Sequence, residues 1–234
     1  MSIALIAWVS IGLGVATAAA IALDVRAHPQ PMGIMNITWP ITGLYFPVVG
    51  WWLYVAMGRP DAMASHGSHD SGTNEGGGNH GHHHASKPKW QSVFVGVTHC
   101  GGGCTLGDSV AAPIVAAIGL TVFGSELIGH FVGAFIGAYL FGLLFQIVPT
   151  MQMGESSLGR AFVNAVKADT LSLIAFEIGM FGWLAIAFKL ILPEMPAVAT
   201  PVYWFMMQIA MMIGFATAYP ANWWLIDRGI KHGM

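Results

Sequence analysis

Long apolar runs separated by short polar clusters dominate the chain, and their lengths predict the elements. Ile3–Leu23 is an uncharged run, closed by Asp24, Arg26 and His28-Pro29, of about the length that crosses the hydrocarbon of a bilayer. It lacks a basic leader and is longer than a signal-peptide core, so it reads as a retained first helix, with cleavage after its alanine run as the alternative. A second run covers Trp39–Met57. Pro40 suits its first turn, whereas Pro47 frees a backbone carbonyl that a neighbouring helix must cover. Trp39, Trp51, Trp52 and Tyr54 read as interfacial aromatics. A third helix is predicted over Thr105–Phe123, then a tight turn at Phe123-Gly124-Ser125 and a fourth helix over Glu126–Val148. Leu158, Phe162 and Val166 recur every four residues among Arg160, Asn164 and Lys167, which predicts a short interfacial amphipathic helix within 149–168. Asp169-Thr170 reads as the cap of a fifth helix, Leu171–Leu192. Thr200-Pro201 opens a sixth, Val202–Ile226.

These runs predict an all-α, polytopic integral membrane protein of about six transmembrane helices with a disordered His-rich loop. Residues 1–57 form an N-terminal helix pair, 58–91 a His/Gly-rich linker, 92–226 a four-helix transmembrane domain and 227–234 a polar tail. The linker has too few apolar residues to bury a core. Composition agrees: 55% of residues are hydrophobic and 9% charged, against roughly 25% charged in soluble domains. The lipid bilayer is therefore the first partner. Six crossings put both termini on one side. That side carries Arg59, Lys87, Lys89, Arg160, Lys167, Arg228 and Lys231, and the other Arg26 and Lys189. The positive-inside rule then makes both termini, and the linker, cytoplasmic.

A net charge of −2 supplies no basic face for nucleic acid, and no nucleotide-binding loop is visible. The chemistry gathers elsewhere. His99, Cys100, Cys104 and Asp108 fall within twelve residues, Val97–Asp108, which hold both cysteines of the chain. A spacing of four puts two sulfurs on one helix face, or lets a glycine loop wrap one ion, and thiolates select Cu(I) or zinc. Close packing at the glycines, with ordinary buried thiols, explains the same residues. A thiol–disulfide role is a third reading, although the usual redox spacing is CxxC. Asp169 and Glu177 lie near this cluster in the predicted topology. Glu126 and His130 share a face at the other membrane surface, and Met207 and Met211 are one turn apart. His82, His83 and His84 in the linker suit a low-affinity metal collector. Gly129, Gly133 and Gly137 repeat at spacing four, the signature of close packing with another helix or a second copy.

The run His-Cys-Gly-Gly-Gly-Cys-Thr-Leu-Gly-Asp, then Ser125-Glu126, then Met151-Gln-Met, resembles an uncharacterised family of bacterial and archaeal multi-helix membrane proteins, domain of unknown function 4396. The resemblance covers Lys89 to the C-terminus. It implies a multi-helix membrane fold and an association with copper-handling systems, and it brings no activity. The expectation is a bacterial inner-membrane protein, not an enzyme, that binds or transports a soft transition metal, copper before zinc. Met207, Met211, Glu126 and His130 would take the ion at the outer face, Asp169 and Glu177 would balance charge, and His99, Cys100 and Cys104 would receive it at the cytoplasmic face. An accessory or scaffold subunit of a membrane complex, and a membrane thiol oxidoreductase, are the alternatives.

Overall fold

The computed structural model describes residues 2–60, 88–152 and 157–231. The linker histidines His82, His83 and His84 lie outside the described residues. Among those described, the chain forms α1 (Ile3–Ala27), α2 (Met35–Tyr45), α3 (Val49–Leu53), α4 (Lys89–Ile118), α5 (Glu126–Gln152), α6 (Leu158–Ile186) and α7 (Pro201–Asp227). Two helices continue into π-helical turns, α3 through Tyr54–Gly58 and α6 through Ala187–Ile191. Five segments are long and apolar enough to cross a membrane: Ile3–Ala27, Lys89–Ile118, Glu126–Val148, Asp169–Ile191 and Pro201–Asp227. The protein is an all-α polytopic membrane protein.

The sixth expected span is a re-entrant hairpin. Trp39 of α2 packs edge-on against Tyr54, with ring centroids 5.7 Å apart, and a Cβ on Gly58 would overlap the Trp39 indole. One on Gly50 would overlap the backbone of Gly43. The two arms are therefore antiparallel. Arg59, just past the second arm, returns to the end of α1, where its Nη2 lies 3.3 Å from Asp24 Oδ1. Pro47 turns the chain because it cannot continue the helical ladder. The reversal is completed by Val48 at φ +63°, a strained value for a β-branched residue. The Val48 N–H donates to Thr17 Oγ1 of α1 at 2.9 Å. The freed Leu44 carbonyl accepts from Gln208 Nε2 of α7 at 2.8 Å. A neighbouring helix thus covers the carbonyl that Val48 gave up at the break, and the chain turns back on itself.

The boundaries of two helices also differ from expectation. α4 starts at Lys89, not Thr105, and runs unbroken through Gly101, Gly102 and Gly103. The glycines cost helix propensity but permit contact: Gly102 faces Thr38 of the hairpin, and Gly103 faces Gly142 of α5. The expected interfacial helix within 149–168 is the first part of α6, which is continuous from Leu158. Asp169 is consequently inside a helix, not at its cap.

The five spans run in alternating directions, so that α1, α5 and α7 are parallel. Lys89, at the start of α4, pairs with Asp227, at the end of α7. We call this side, with the C-terminal tail, the tail face, and the side with loops 119–125 and 192–200 the loop face. α1 begins at the loop face and ends at the tail face. The hairpin enters and returns near the tail face, where Arg59 meets Asp24 at the end of α1. α4, α6 and α7 bury the most surface, and α1 and α5 are largely lipid-facing. The core joins Val97 and Cys104 of α4, Phe176 and Met180 of α6, and Met207 and Phe215 of α7.

Gly107 of α4 and Gly137 of α5 touch backbone to backbone, and a Cβ on either would overlap the other's main chain. Gly129 and Gly133 likewise abut Leu120 and Val115. The glycine repeat is spent on the α4–α5 hairpin within one chain, so this face is not open to a second copy.

Candidate functional site

Polar side chains, with Met207 among them, cluster where α4, α6 and α7 meet, and on α4 they recur every four residues along one face. On α4 these are Cys100, Cys104 and Asp108; on α6, Asp169, Ser172 and Glu177; on α7, Tyr203, Met207 and Asn222. Helical rise puts Cys100 about 16 Å, and Asp108 about 28 Å, beyond Lys89 along the axis of α4. The cysteine motif therefore lies inside a long helix, not just ahead of one that starts at Thr105.

In the layer nearest the tail face, Cys100, Asp169, Ser172 and Lys231 all have hydrogen-bond partners. The Cys100 thiol donates to Asp169 Oδ1 at 3.5 Å and accepts from Ser172 Oγ at 3.4 Å. Asn222 Nδ2 donates to Ser172 Oγ and, at 2.9 Å, to the Ala218 carbonyl. Lys231 Nζ donates to the same Asp169 Oδ1 at 2.6 Å. Both members of that ion pair are buried, at 3% and 4% side-chain exposure. Burial pulls the Lys231 ammonium down, but Cys100 and Asp169 hold it above the usual lysine range. His99 is buried and turned toward Phe145 of α5, with ring centroids 6.5 Å apart. Gln146 is within electrostatic reach of its ring, yet neither ring nitrogen has a hydrogen bond of normal geometry.

The middle layer is not bonded. Asp108 and Glu177 are 0% and 2% exposed, and none of their four carboxylate oxygens has a hydrogen-bond partner among the described residues. They interact electrostatically with each other and with Cys104. Cys104, also fully buried, lies near Cys100 on one side and these carboxylates on the other. The Tyr45 ring from the tip of the hairpin closes this layer beside Gly101 and Cys104. Two unpaired carboxylates in a low dielectric need a proton or a cation between them.

Toward the loop face the column opens. Asp108 borders a narrow space of about 10 Å³ shared with His130, Met180, Met195, Tyr203 and Met207. His130 and Met195 also line an open cavity of about 310 Å³ with Glu126 and Pro196. Glu126 is exposed at its rim. Met211 is buried in the core but lines neither space.

Of the residues singled out from sequence, Cys100, Cys104, Asp108, Asp169 and Glu177 gather between α4 and α6. Asp108, His130 and Met207 border the narrow space, Glu126 and His130 line the open cavity, and His99 turns toward α5. Several members were not anticipated, Met180 and Tyr203 among them. Ser172 and Asn222 are small polar residues whose long-range pairing has no local signal. Met195 sits in a proline-rich loop that reads as a helix stop. Lys231 reads as a tail cation, although Gly229 is the kind of helix-ending residue that turns a chain back. Among the described residues, no three His, Cys, Asp or Glu side chains converge as a metal-ligand set. The arrangement is a column of single and paired donors, not a closed tetrahedral site.

A family model described as a domain of unknown function (DUF4396) matches residues 89–231, the stretch that contains the whole column. No curated protein and no solved structure matches the chain.

Proposed function

The chain belongs to the DUF4396 family of unknown function, and from the column within the matched stretch we propose that it binds and conducts a soft transition-metal ion, copper before zinc, across the bacterial inner membrane. The observation that carries this reading is the pair of unpartnered carboxylates, Asp108 and Glu177, beside Cys104. A cation delivered there gains two negative neighbours and a sulfur, whereas the apolar surroundings offer nothing to an anion. Cu(I) suits what the column offers. It is satisfied by two sulfurs, which Cys100 and Cys104 supply one helical turn apart, and the thioethers of Met195 and Met207 are soft donors on the way in. Zinc asks for a four-ligand shell. The ion is cargo here, with Glu126 and His130 at the loop-face mouth, Met207 and Asp108 next, then Cys104 and Cys100.

Charge supports a sidedness. Among the described residues Arg26, Arg59, Lys89, Arg160, Lys167, Arg228 and Lys231 belong to the tail face, and Lys189 to the loop face. The positive-inside rule makes the tail face cytoplasmic, which leaves the N-terminus outside. Cargo would move inward, and the cysteines would stay reduced near the reducing side. A thiol oxidoreductase is less well served, because both sulfurs are carried by one unbroken helix and are buried.

The test is anaerobic Cu(I) titration of the purified full chain against a chromogenic chelator, with zinc in parallel. Stoichiometric Cu(I), lost in Cys100→Ser/Cys104→Ser, is the expected result. No Cu(I) bound by wild type under these conditions would sink the proposal.

A further inference from the structure

The C-terminal tail ends in a device that the conduction reading does not require. α7 closes at Asp227, and Gly229 then adopts φ +66°. The Ile230 N–H returns to the Leu225 carbonyl at 3.0 Å and the Gly229 N–H to the Ile226 carbonyl at 3.1 Å. This double bond to the last turn reverses the chain. Nothing lies within 4 Å of where a Gly229 Cβ would be, so the glycine is required by its backbone angle and not by space. The reversal carries Lys231 under the helix ends, where its ammonium reaches Asp169 Oδ1 at 2.6 Å. That oxygen also accepts the Cys100 thiol. An ammonium on a long stem is thus held, buried, at the cytoplasm-side end of the column, on the oxygen that meets the first sulfur.

We propose that Lys231 is a tethered surrogate cation: it occupies the Asp169–Cys100 position and closes the tail-face end of the column until an ion arriving from Cys104 displaces it. The chemistry is exchange of one cation for another on a single carboxylate, with no bond made or broken beyond coordination. Displacement frees the ammonium to leave with the tail, which opens the exit. The buried ammonium explains why the Asp169 carboxylate is bonded while the next two are not, since no residue does for Asp108 and Glu177 what Lys231 does for Asp169. Occupation by the tail lowers the fraction of molecules able to take an ion there, and apparent affinity falls by that fraction. The cargo in this device is that of the conduction reading, on which it rests, but the closure itself can be measured without any metal.

The experiment uses the full chain with Cys104→Ser, so that Cys100 is the one thiol, and follows its modification by a small cationic methanethiosulfonate reagent. With Lys231→Ala the rate should rise by about tenfold or more, a factor that corresponds to about 1.4 kcal/mol of lost closure. Lys231→Arg, which keeps the cation, should stay near the parent rate. Gly229→Val, which leaves every charge in place but strains the turn, should accelerate it as well. An Asp169→Asn/Lys231→Met pair guards against misfolding caused by leaving a carboxylate bare, and should also label fast. Unchanged rates in Lys231→Ala and Gly229→Val, or an arginine variant as fast as alanine, would overturn the plug. Cu(I) titration of the wild-type chain, with both cysteines present, separates the two ideas. Faster labelling with no Cu(I) bound keeps the plug and discards copper. Stoichiometric Cu(I) in wild type with unchanged labelling does the reverse.

Discussion

Gln208→Leu tests the hairpin, because one side chain bridges three elements. Gln208 Nε2 covers the Leu44 carbonyl at 2.8 Å, and its Oε1 accepts from Ser10 Oγ at 2.9 Å. Leucine has similar volume, so packing is nearly conserved and the change is mainly the loss of two hydrogen bonds. Hydrogen bonds between membrane helices average only about 0.6 kcal/mol by double-mutant cycles. Leu44 is a harder case, because its usual helical partner, the Val48 N–H, is turned away to Thr17. A buried carbonyl left without a partner costs about 1–3 kcal/mol. Ser10 can return to a carbonyl of its own helix and adds little. The expected loss is therefore about 1–2 kcal/mol, or about 2–8 °C in Tm for a chain of this size. Thermal unfolding in detergent reads it, with Gln208→Glu as the partner that restores an acceptor for Ser10 but no donor for Leu44. The hairpin also presents Tyr45 to the cysteine layer, so the loosened variant should expose Cys104 to thiol reagents faster than wild type. A Tm unchanged to within a degree, with unchanged Cys104 labelling, would refute the claim that Gln208 holds the break together.

Asp108→Asn removes one of two unpaired carboxylates. It should leave stability within about 1 kcal/mol of wild type or raise it, since the buried charge had no partner. Cu(I) uptake into proteoliposomes should fall by about tenfold or more, a factor of about 1.4 kcal/mol; unchanged uptake would remove Asp108 from the path. Gly137→Val must separate two touching backbones and should cost about 2 kcal/mol, seen as a lower Tm without a change of oligomeric state. Ser2→Cys in a chain with Cys100→Ser/Cys104→Ser should label with an impermeant reagent in intact cells, while a C-terminal green fluorescent protein fusion glows. Termini found on one side would mean that the hairpin crosses after all. Cu(I) binding at constant pH should release on the order of one proton per ligating thiol, measured by pH-stat.

The apolar runs made the membrane class and the positions of α1, α5 and α7 legible, because a span needs length and the absence of charge, both visible locally. Pro47 was legible as a break but not as a reversal. Each arm of the hairpin is only about ten residues, roughly 15 Å of helix. Whether a broken run crosses or returns depends on Thr17, Gln208 and Asp24, which are distant in sequence. The glycine triplet was read as the end of a loop since glycine is a poor helix former; the helix persists because Gly102 and Gly103 gain contacts with Thr38 and Gly142. For the site, spacing of four correctly grouped Cys100, Cys104 and Asp108 on one face, but depth along the membrane depended on the start of α4. Arg26 was assigned to the face opposite Arg59 for the same reason: one crossing too many inverts every charge before it.

Charge balance ties the column, the tail and the topology together. If ionised, Asp108, Glu177 and Asp169 bring three negative charges into the membrane, against one positive charge on Lys231. Two remain, and they sit in the unbonded middle layer. An apolar interior does not hold a net charge of two without compensation, so that layer rests with protons in place or with cations from outside. Under the proposed conduction, a metal ion passing from Met207 to Cys104 would replace protons instead of adding its charge to a neutral site, and at the tail face it would replace the Lys231 ammonium. Each stage would then exchange one positive charge for another. This also accounts for the asymmetry of the column. The loop-face end is an open cavity with exposed Glu126, which admits solvent and ions. The tail-face end holds a buried side chain that is itself a cation, and under the proposed plug it would open only to something that can take that cation's place.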